Sequence, residues 1–393
     1  MRAPMALQAP PPARLRRERR ALQRGGLTLT GGSRPLRGER PLRIAMLAPP
    51  WIPVPPNGYG GIEAVVSLLT DELVRRGHDV VLFAAPGSRS LARVCSPLDA
   101  AHPDTIGSAL HESDHVARAF RAIEAAAEEG RPFDVVHDHS GFTALAMADR
   151  VNAPVVHTIH GPFTDETSQF YAEHGQNAML VAISRSQSVQ APVPVEVAAV
   201  VPNPVVVAEW PHRRSKMDYL LWMGRMDPVK GADRAIAVAK LAKRRLILAG
   251  PVQSGQERYF EERVAPHVDG AAVTYVGEVG GEQRRQLFAN AEAFLMPIRW
   301  PEPFGMVVVE ALACGTPVLA FPEGAVSEIV LDGVNGYHVE DEGQMAAAVE
   351  KLDEIDPGRC RQSVAERYDL SVVADGYEAV YRRAVRAPLI VPA

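Results

Sequence analysis

The feature that most constrains this chain is a rhythm of short β-branched runs alternating with helical patterns, stated twice along its length. From Leu42 onward, RIAMLA reads as a buried strand, followed across a Pro/Gly-rich loop by the amphipathic pattern GIEAVVSLLTDELVRRG. That pattern closes on Arg75, Arg76 and Gly77, cations and a glycine where a helix C-terminus favours them. DVVLFA, FDVVHDH, PVVHTIHG and MLVAIS read as further strands, and the Pro-rich residues 193–211 end the first half. The rhythm then restarts with the strand DYLLWMG and the helix VKGADRAIAVAKLAKR. RLILAG, AVTYVG, AFLMP and TPVLAF follow as strands with helical stretches between them. Strand–helix alternation of this kind predicts parallel sheets covered on both faces. Two such blocks, divided near residues 207–216, predict an α/β chain of two Rossmann-like, doubly wound domains facing across a cleft, at about 41–207 and 208–370. The last helical patterns, from residue 357 to about 385, come after the second sheet is complete.

Composition removes several classes. Three widely spaced cysteines (Cys95, Cys314, Cys360) do not make a disulfide scaffold or a four-thiolate zinc site. The longest apolar stretch, residues 305–321, is interrupted by Glu310, Gly315 and Pro317, so no helix is expected to span a bilayer. The net charge of −5 hides an asymmetry: residues 1–43 carry eleven Arg and two acids, leaving a strongly acidic remainder that suits neither DNA nor RNA. Residues 1–40, Arg- and Pro-rich without apolar periodicity, are expected to be a disordered extension, and they lack the apolar stretch of a signal peptide. A start-codon overhang, a flexible tail and a patch for acidic lipid head groups all remain open for them. The expected setting is cytoplasmic, with peripheral contact at the inner face of a membrane left open.

Ligands of open parallel sheets collect outside the carboxyl ends of the strands, and four clusters fall there: residues 49–63, His160, residues 224–230 and residues 302–310. The most informative is RWPEPFGMVVVEALACGTPV. Pro303 and Gly315 are expected to bracket a helix, proline at its start and glycine past its end. That helix is apolar nearly all round, yet Glu310 sits in its middle, and a buried carboxylate is too costly to keep without partners. The vicinal hydroxyls of a ribose would satisfy both oxygens; a structural ion pair with an Arg or Lys is the competing reading. Glu302, eight residues earlier, lies beside the amides of Phe304, Gly305 and Met306, which would form an anion site suited to a pyrophosphate. Gly305 allows close approach of the backbone. Arg225 and Lys230 follow a strand and would neutralise a departing diphosphate, unless they are only solvated.

Other chemistries are poorly matched. There is no GxxxxGK[ST] phosphate loop, and the first strand is followed by APPWIPVPPNGYGG rather than G-x-G-x-x-G. His137 and His139 share a strand face while His157 and His160 point to opposite faces. No third ligand has a standard spacing, so no metal site is expected. His160, ending a strand at the cleft, reads either as a satisfied core histidine or as a functional one.

Taken together, EPFGMVVVE, GRMDPVKG, the early GGIE (Gly60, Gly61, Ile62, Glu63), DVVHDH, HTIHG and VLDGVNGYHV run in the order of glycosyltransferase family 4, which the chain resembles from about residue 42 to 339. The resemblance implies the GT-B fold and a retaining, metal-independent transfer of a hexose-type sugar from a nucleoside diphosphate sugar, UDP- or GDP-linked, with no cofactor. The acceptor hydroxyl would belong to a lipid, a polysaccharide or a small metabolite. By the same resemblance Glu310 would hold the ribose, Glu302 the sugar hydroxyls, and Arg225 with Lys230 the diphosphate. Gly61 would lie near the phosphates, residues 276–279, Val279 among them, would border the base, and His160 would contact the transferred sugar. The final helix, about 371–385, would pack back onto the first domain. One departure is the interdomain VPNPVVV, where many relatives have an Asn-Gly turn: Pro204 removes an amide and fixes the backbone, leaving the role of Asn203 open. The alternatives are an epimerase or phosphorylase on the same fold and a non-catalytic nucleotide-sugar-binding protein.

Overall fold

The computed structural model describes residues 40–58 and 60–387; the expectation of disorder for residues 1–40 lies, apart from Arg40, outside the described residues. The first sheet contains β1 (Arg43–Leu47), β2 (Asp79–Phe83), β3 (Arg93–Cys95), β4 (Val135–Asp138), β5 (Val155–Ile159), β6 (Met179–Ala182) and β7 (Ala199–Val200). They lie in the order β3-β2-β1-β4-β5-β6-β7, every neighbouring pair parallel. The second contains β8 (Leu220–Met223), β9 (Leu246–Ala249), β10 (Val273–Tyr275), β11 (Ala293–Met296), β12 (Val318–Ala320) and β13 (Gly336–His338). Its order, β10-β9-β8-β11-β12-β13, is again all parallel. The central strands are closed on both faces, which is why they read as unbroken apolar runs: Ile44 through Ala48 and Leu220 through Trp222 have almost no exposure.

Three strands escaped the sequence reading: β3, β7 and β13. Each has two or three residues and lies at a sheet edge, where one flank is unpaired and little apolar surface is needed.

Among the longer helices are α1 (Gly61–Arg75), α2 (Ala109–Glu128), α3 (Ala232–Ala242), α4 (Gly281–Asn290), α5 (Met306–Ala313), α6 (Pro357–Ala365) and α7 (Leu370–Arg386). α1 ends as its sequence demands, with Arg76 as cap and Gly77 in the left-handed region at φ 93°. α5 starts three residues later than Pro303 suggested. Gly305, at φ 98°, caps it, and Gly315, at φ 73°, lies just past its end.

α7 packs on the first sheet. Val373, Tyr377, Val380 and Tyr381 share a buried cluster with Val66, Leu69 and Leu73 of α1 and with Ile44 and Met46 of β1. Arg76 fastens the contact by reaching Asp375 and Glu378 of α7, at 2.5 and 2.7 Å. The chain therefore crosses between the halves twice, and the crossings run side by side: Val205 N–H donates to Tyr368 O, and Leu370 N–H donates to Val205 O.

Candidate functional site

Strand order reverses between β1 and β4 and between β8 and β11, and the loops leaving those carboxyl ends converge on two adjoining cavities of about 350 and 380 Å³. From the first half come Gly58, Gly60, Gly61, His160 and Asn203. From the second come Arg225, Lys230, Glu302, the start of α5 and Glu310.

Tight backbone packing shapes the second half of the site. Trp222, buried in β8, donates its indole N–H to the carbonyl of Lys230 and so pins the loop that carries Arg225. Gly231 closes that loop at φ 76°; a Cβ there would lie 2.5 Å from the carbonyl oxygen of Pro297. Arg299 N–H donates to Val229 O, tying this loop to the one after β11. The backbone of Glu302 is clasped in turn by residues 324–325: Ala325 N–H donates to Glu302 O, and a Cβ on Gly324 would fall 2.4 Å from Glu302 N and O.

The cationic groups meet at this junction. Lys230 Nζ lies 2.5 Å from Glu302 Oε2 and 4.5 Å from the centre of the Trp300 ring, whose Nε1 donates to the same oxygen. Arg225 donates from one guanidinium nitrogen to Gln253 Oε1 at 3.2 Å, while its Nε is buried with no hydrogen-bond partner. The amides of Phe304, Gly305, Met306 and Val307 have no backbone acceptor among the described residues; that of Val308 turns back to Gly305 O. Two of them, Met306 and Val307, open α5, so the orphan donors of the helix itself begin two residues later than the sequence reading placed them. Unpaired amides at a helix start, a lysine and a buried unsatisfied guanidinium N–H together suit an anionic, multi-oxygen ligand.

Glu310 corrects the expectation that a ligand would satisfy both of its oxygens. Its Oε2 accepts from Nε and a terminal nitrogen of Arg284 on α4, while Oε1 takes no bond among the described residues. Burial still raises the carboxyl above its usual range, and the Arg284 charge opposes that rise. The ion-pair reading thus holds for one oxygen, and the other is available to the cavities that Glu310 lines.

The remaining positions divide as follows. Gly61 opens α1, and a Cβ there would meet nothing within 4 Å, so the cleft comes directly to its backbone. Glu278 and Val279 line the second cavity, and Gly58 reaches across to Glu278, where a Cβ would stand 3.3 Å from Oε1. Asn203, left open by the sequence, is buried at the cavity with its Oδ1 unpartnered. His160 follows β5 and pairs through Nε2 with Nδ1 of His139 at 2.8 Å, while His157, on the other face, pairs with Asp138. Burial, assisted by the charge of His157, holds His160 down at about 3.

Arg284, Trp300, Gln253 and His139 were missed. Arg284 was signalled only indirectly, because a buried Glu310 requires a cation without saying which of many. Among the described residues, no group of three or more His, Cys, Asp or Glu is placed to hold a metal, and no helix is long and apolar enough to cross a membrane.

Residues 59–255 match the family profile described as Glycosyltransferase Family 4, and residues 209–361 match that described as Glycosyl transferases group 1. The glycogen synthase of Mycobacterium tuberculosis is 27% identical over 402 residues, covering 88% of this chain and 95% of its own. The D-inositol 3-phosphate glycosyltransferase of Mycolicibacterium smegmatis is 27% identical over 405 residues, covering 88% and 92%. Among solved structures, AviGT4, a glycosyltransferase involved in avilamycin A biosynthesis, superposes with a TM-score of 0.66 at 28% identity, over 88% of this chain and 99% of that one.

Proposed function

This chain belongs to glycosyltransferase family 4 and is a glycosyltransferase of the GT-B fold, and from that premise we propose that it transfers a hexose from a nucleoside diphosphate sugar, UDP- or GDP-linked, to an uncharged acceptor hydroxyl. The observation that carries the donor half is the convergence of Arg225, its Nε buried and unpartnered, with Lys230 and the free amides of Met306 and Val307 on one cavity. A diphosphate supplies the acceptors that Arg225 Nε and the two amides lack, and a second anionic partner for Lys230 beside Glu302. Glu310 Oε1 is suited to a ribose hydroxyl, Val279 and Glu278 to the flank of the base, and Glu302 Oε1, with Oε2 held by Lys230 and Trp300, to the sugar hydroxyls.

In the proposed step, the acceptor oxygen bonds to the anomeric carbon as the bond from that carbon to the phosphate oxygen breaks. The acceptor proton passes to the leaving phosphate. Arg225, Lys230 and the α5 amides take up the developing negative charge. Glu302 and Glu310 are both already ion-paired, which supports same-face attack, with retention, over a carboxylate nucleophile. With cations occupying the leaving-group position, the reaction is read as metal-independent: turnover should survive a chelator.

The acceptor reading rests on charge. Residues 44–74, 96–117, 132–149 and 151–184, which supply most of the loops at the carboxyl end of the first sheet, contain no Lys or Arg. A phosphorylated acceptor would find none on them, and Arg89 after β2 and Arg185 after β6 line neither cavity, whereas a neutral glycan or glycoside needs no cation.

The test is a thermal-shift panel of UDP-, GDP-, ADP- and dTDP-sugars with their free diphosphates, followed by transfer assays with the stabilising donor. Ligands that bind only the folded protein raise its melting temperature by mass action. Stabilisation by one base series together with transfer to a neutral sugar is expected. No shift from any of them, in folded protein, would overturn the donor assignment, and stabilisation without turnover would leave a binding protein.

A further inference from the structure

The cleft histidine is not held alone. His160 Nε2 meets Nδ1 of His139 at 2.8 Å, with the ring centroids 5.1 Å apart and the ring planes inclined by 29°. His139 is 3% exposed, and its second nitrogen, Nε2, is buried with no hydrogen-bond partner. Beneath it, 4.1 Å away ring to ring, His137 has both nitrogens engaged: Nδ1 with the hydroxyl of Tyr381 from α7, Nε2 with Oγ1 of Thr158. Burial, and then the neighbouring histidines, keep His137 and His139 far below the usual histidine range, so both rings are neutral.

A neutral imidazole has one N–H and one bare nitrogen. A buried N–H without an acceptor is the rarer and costlier of the two orphans, so the proton of His139 belongs on Nδ1, where it has a partner, and Nε2 is the bare nitrogen. His139 then donates and His160 Nε2 accepts, which puts the proton of His160 on Nδ1. That nitrogen has no partner among the described residues, and His160 lines the cavity.

We propose that His139 is a positioning residue: by donating from Nδ1 to Nε2 of His160 it fixes the tautomer of that ring, leaving Nδ1–H of His160 as a hydrogen-bond donor for a hydroxyl of the transferred sugar. The inference rests on the reading that His160 contacts that sugar. It makes His160 a neutral donor rather than a general base, and it gives a function to the second histidine of DVVHDH.

The experiment uses the full chain, labelled with ¹⁵N at histidine, in which nitrogen shifts report the protonated ring atom. The His160 signals are identified by their loss in His160→Gln. Wild type is expected to show His160 protonated on Nδ1. His139→Asn, whose amide can donate from nearly the position of Nδ1, should keep that signature and most of the turnover. His139→Leu should release His160 to the Nε2-protonated form and lower kcat about tenfold, the worth of one hydrogen bond, with donor KM little changed. A wild-type His160 protonated on Nε2, or an unaltered tautomer in His139→Leu, would overturn the proposal. If His139→Leu does not fold, the wild-type and His139→Asn spectra decide. A tautomer that shifts while turnover does not would instead refute the contact between His160 and the sugar.

Discussion

Replacing Arg284 with methionine removes the cation that faces Glu310 and leaves the rest of α4 in place. The side chain of Glu310 is 9% exposed and that of Arg284 27%, so the carboxylate would be stranded in a nearly closed site. Removing one partner of a buried pair costs about 3–5 kcal/mol, and the partial exposure of Arg284 puts this case just below that range, about 2–3 kcal/mol. The carboxyl can escape by taking a proton. Its folded pKa is already raised from 4.5 by burial and would rise further without the cation. Above 4.5 the folded variant then holds a proton that the unfolded chain has lost, so its stability falls as pH rises. Protonation therefore keeps the deficit small in mild acid and lets it grow toward its full size as the pH rises, at no more than about 1.4 kcal/mol per pH unit. Urea unfolding of wild type and variant at pH 5 and pH 8 measures the difference, and other titrations cancel in the comparison. Glu310→Gln leaves only the more exposed guanidinium unpaired and should cost less than about 1 kcal/mol, while weakening nucleoside diphosphate binding. An equal Arg284→Met deficit at the two pH values, or a larger loss from Glu310→Gln than from Arg284→Met, would refute the reasoning.

Four further outcomes are expected. Gly324→Ala should unfold or strongly destabilise the protein, because its Cβ would lie 2.4 Å from backbone atoms of Glu302; Gly305→Ala, strained only through its φ of 98°, should cost about 1–2 kcal/mol in urea unfolding. Arg225→Ala and Lys230→Ala should each lower kcat about 10²–10³-fold in a folded protein, as loss of one preorganised donor to a leaving oxyanion does; single-turnover assays check this. Acid should destabilise the fold below pH 6.5: burial lowers His115 to about 4 and His160 to about 3, so the unfolded chain protonates first, and stability present above pH 6.5 falls on acidification by up to about 1.4 kcal/mol per unit for each histidine. A urea midpoint unchanged between pH 7 and pH 5 would contradict that. Tyr381→Phe removes the partner of His137 Nδ1 and should cost about 1–3 kcal/mol in the same assay.

Much of the architecture was legible because its causes are local in sequence. Strands closed on both faces must be apolar throughout, so β1, β2 and β4–β6 in one half and β8, β9, β11 and β12 in the other announced themselves, and the alternation with helices required parallel sheets. The caps of α1 and α5 were marked by glycines that alone tolerate the left-handed backbone at Gly77 and Gly315. A glutamate inside an otherwise apolar helix was legible for a related reason: its burial is costly wherever the rest of the chain lies. Three of the four edge strands, β3, β7 and β13, were not legible, since they need too little apolar surface to leave a pattern.

What only the tertiary structure decided is which distant group answers each local demand. The sequence required a partner for Glu310, and the packing of α4 against α5 chose Arg284, 26 residues away, for one oxygen only. It put His139 and His160 on separate strands, and the pairing of β4 with β5 brought their rings within hydrogen-bond reach. The return of α7, which sets the hydroxyls of Tyr381 and Tyr377 against His137 and Thr158, links residues more than 200 positions apart. Periodicity and backbone strain act within a few residues and can be read along a chain. Hydrogen bonds and ion pairs act over about 3 Å in space, and that distance exists only once the sheets have placed their loops.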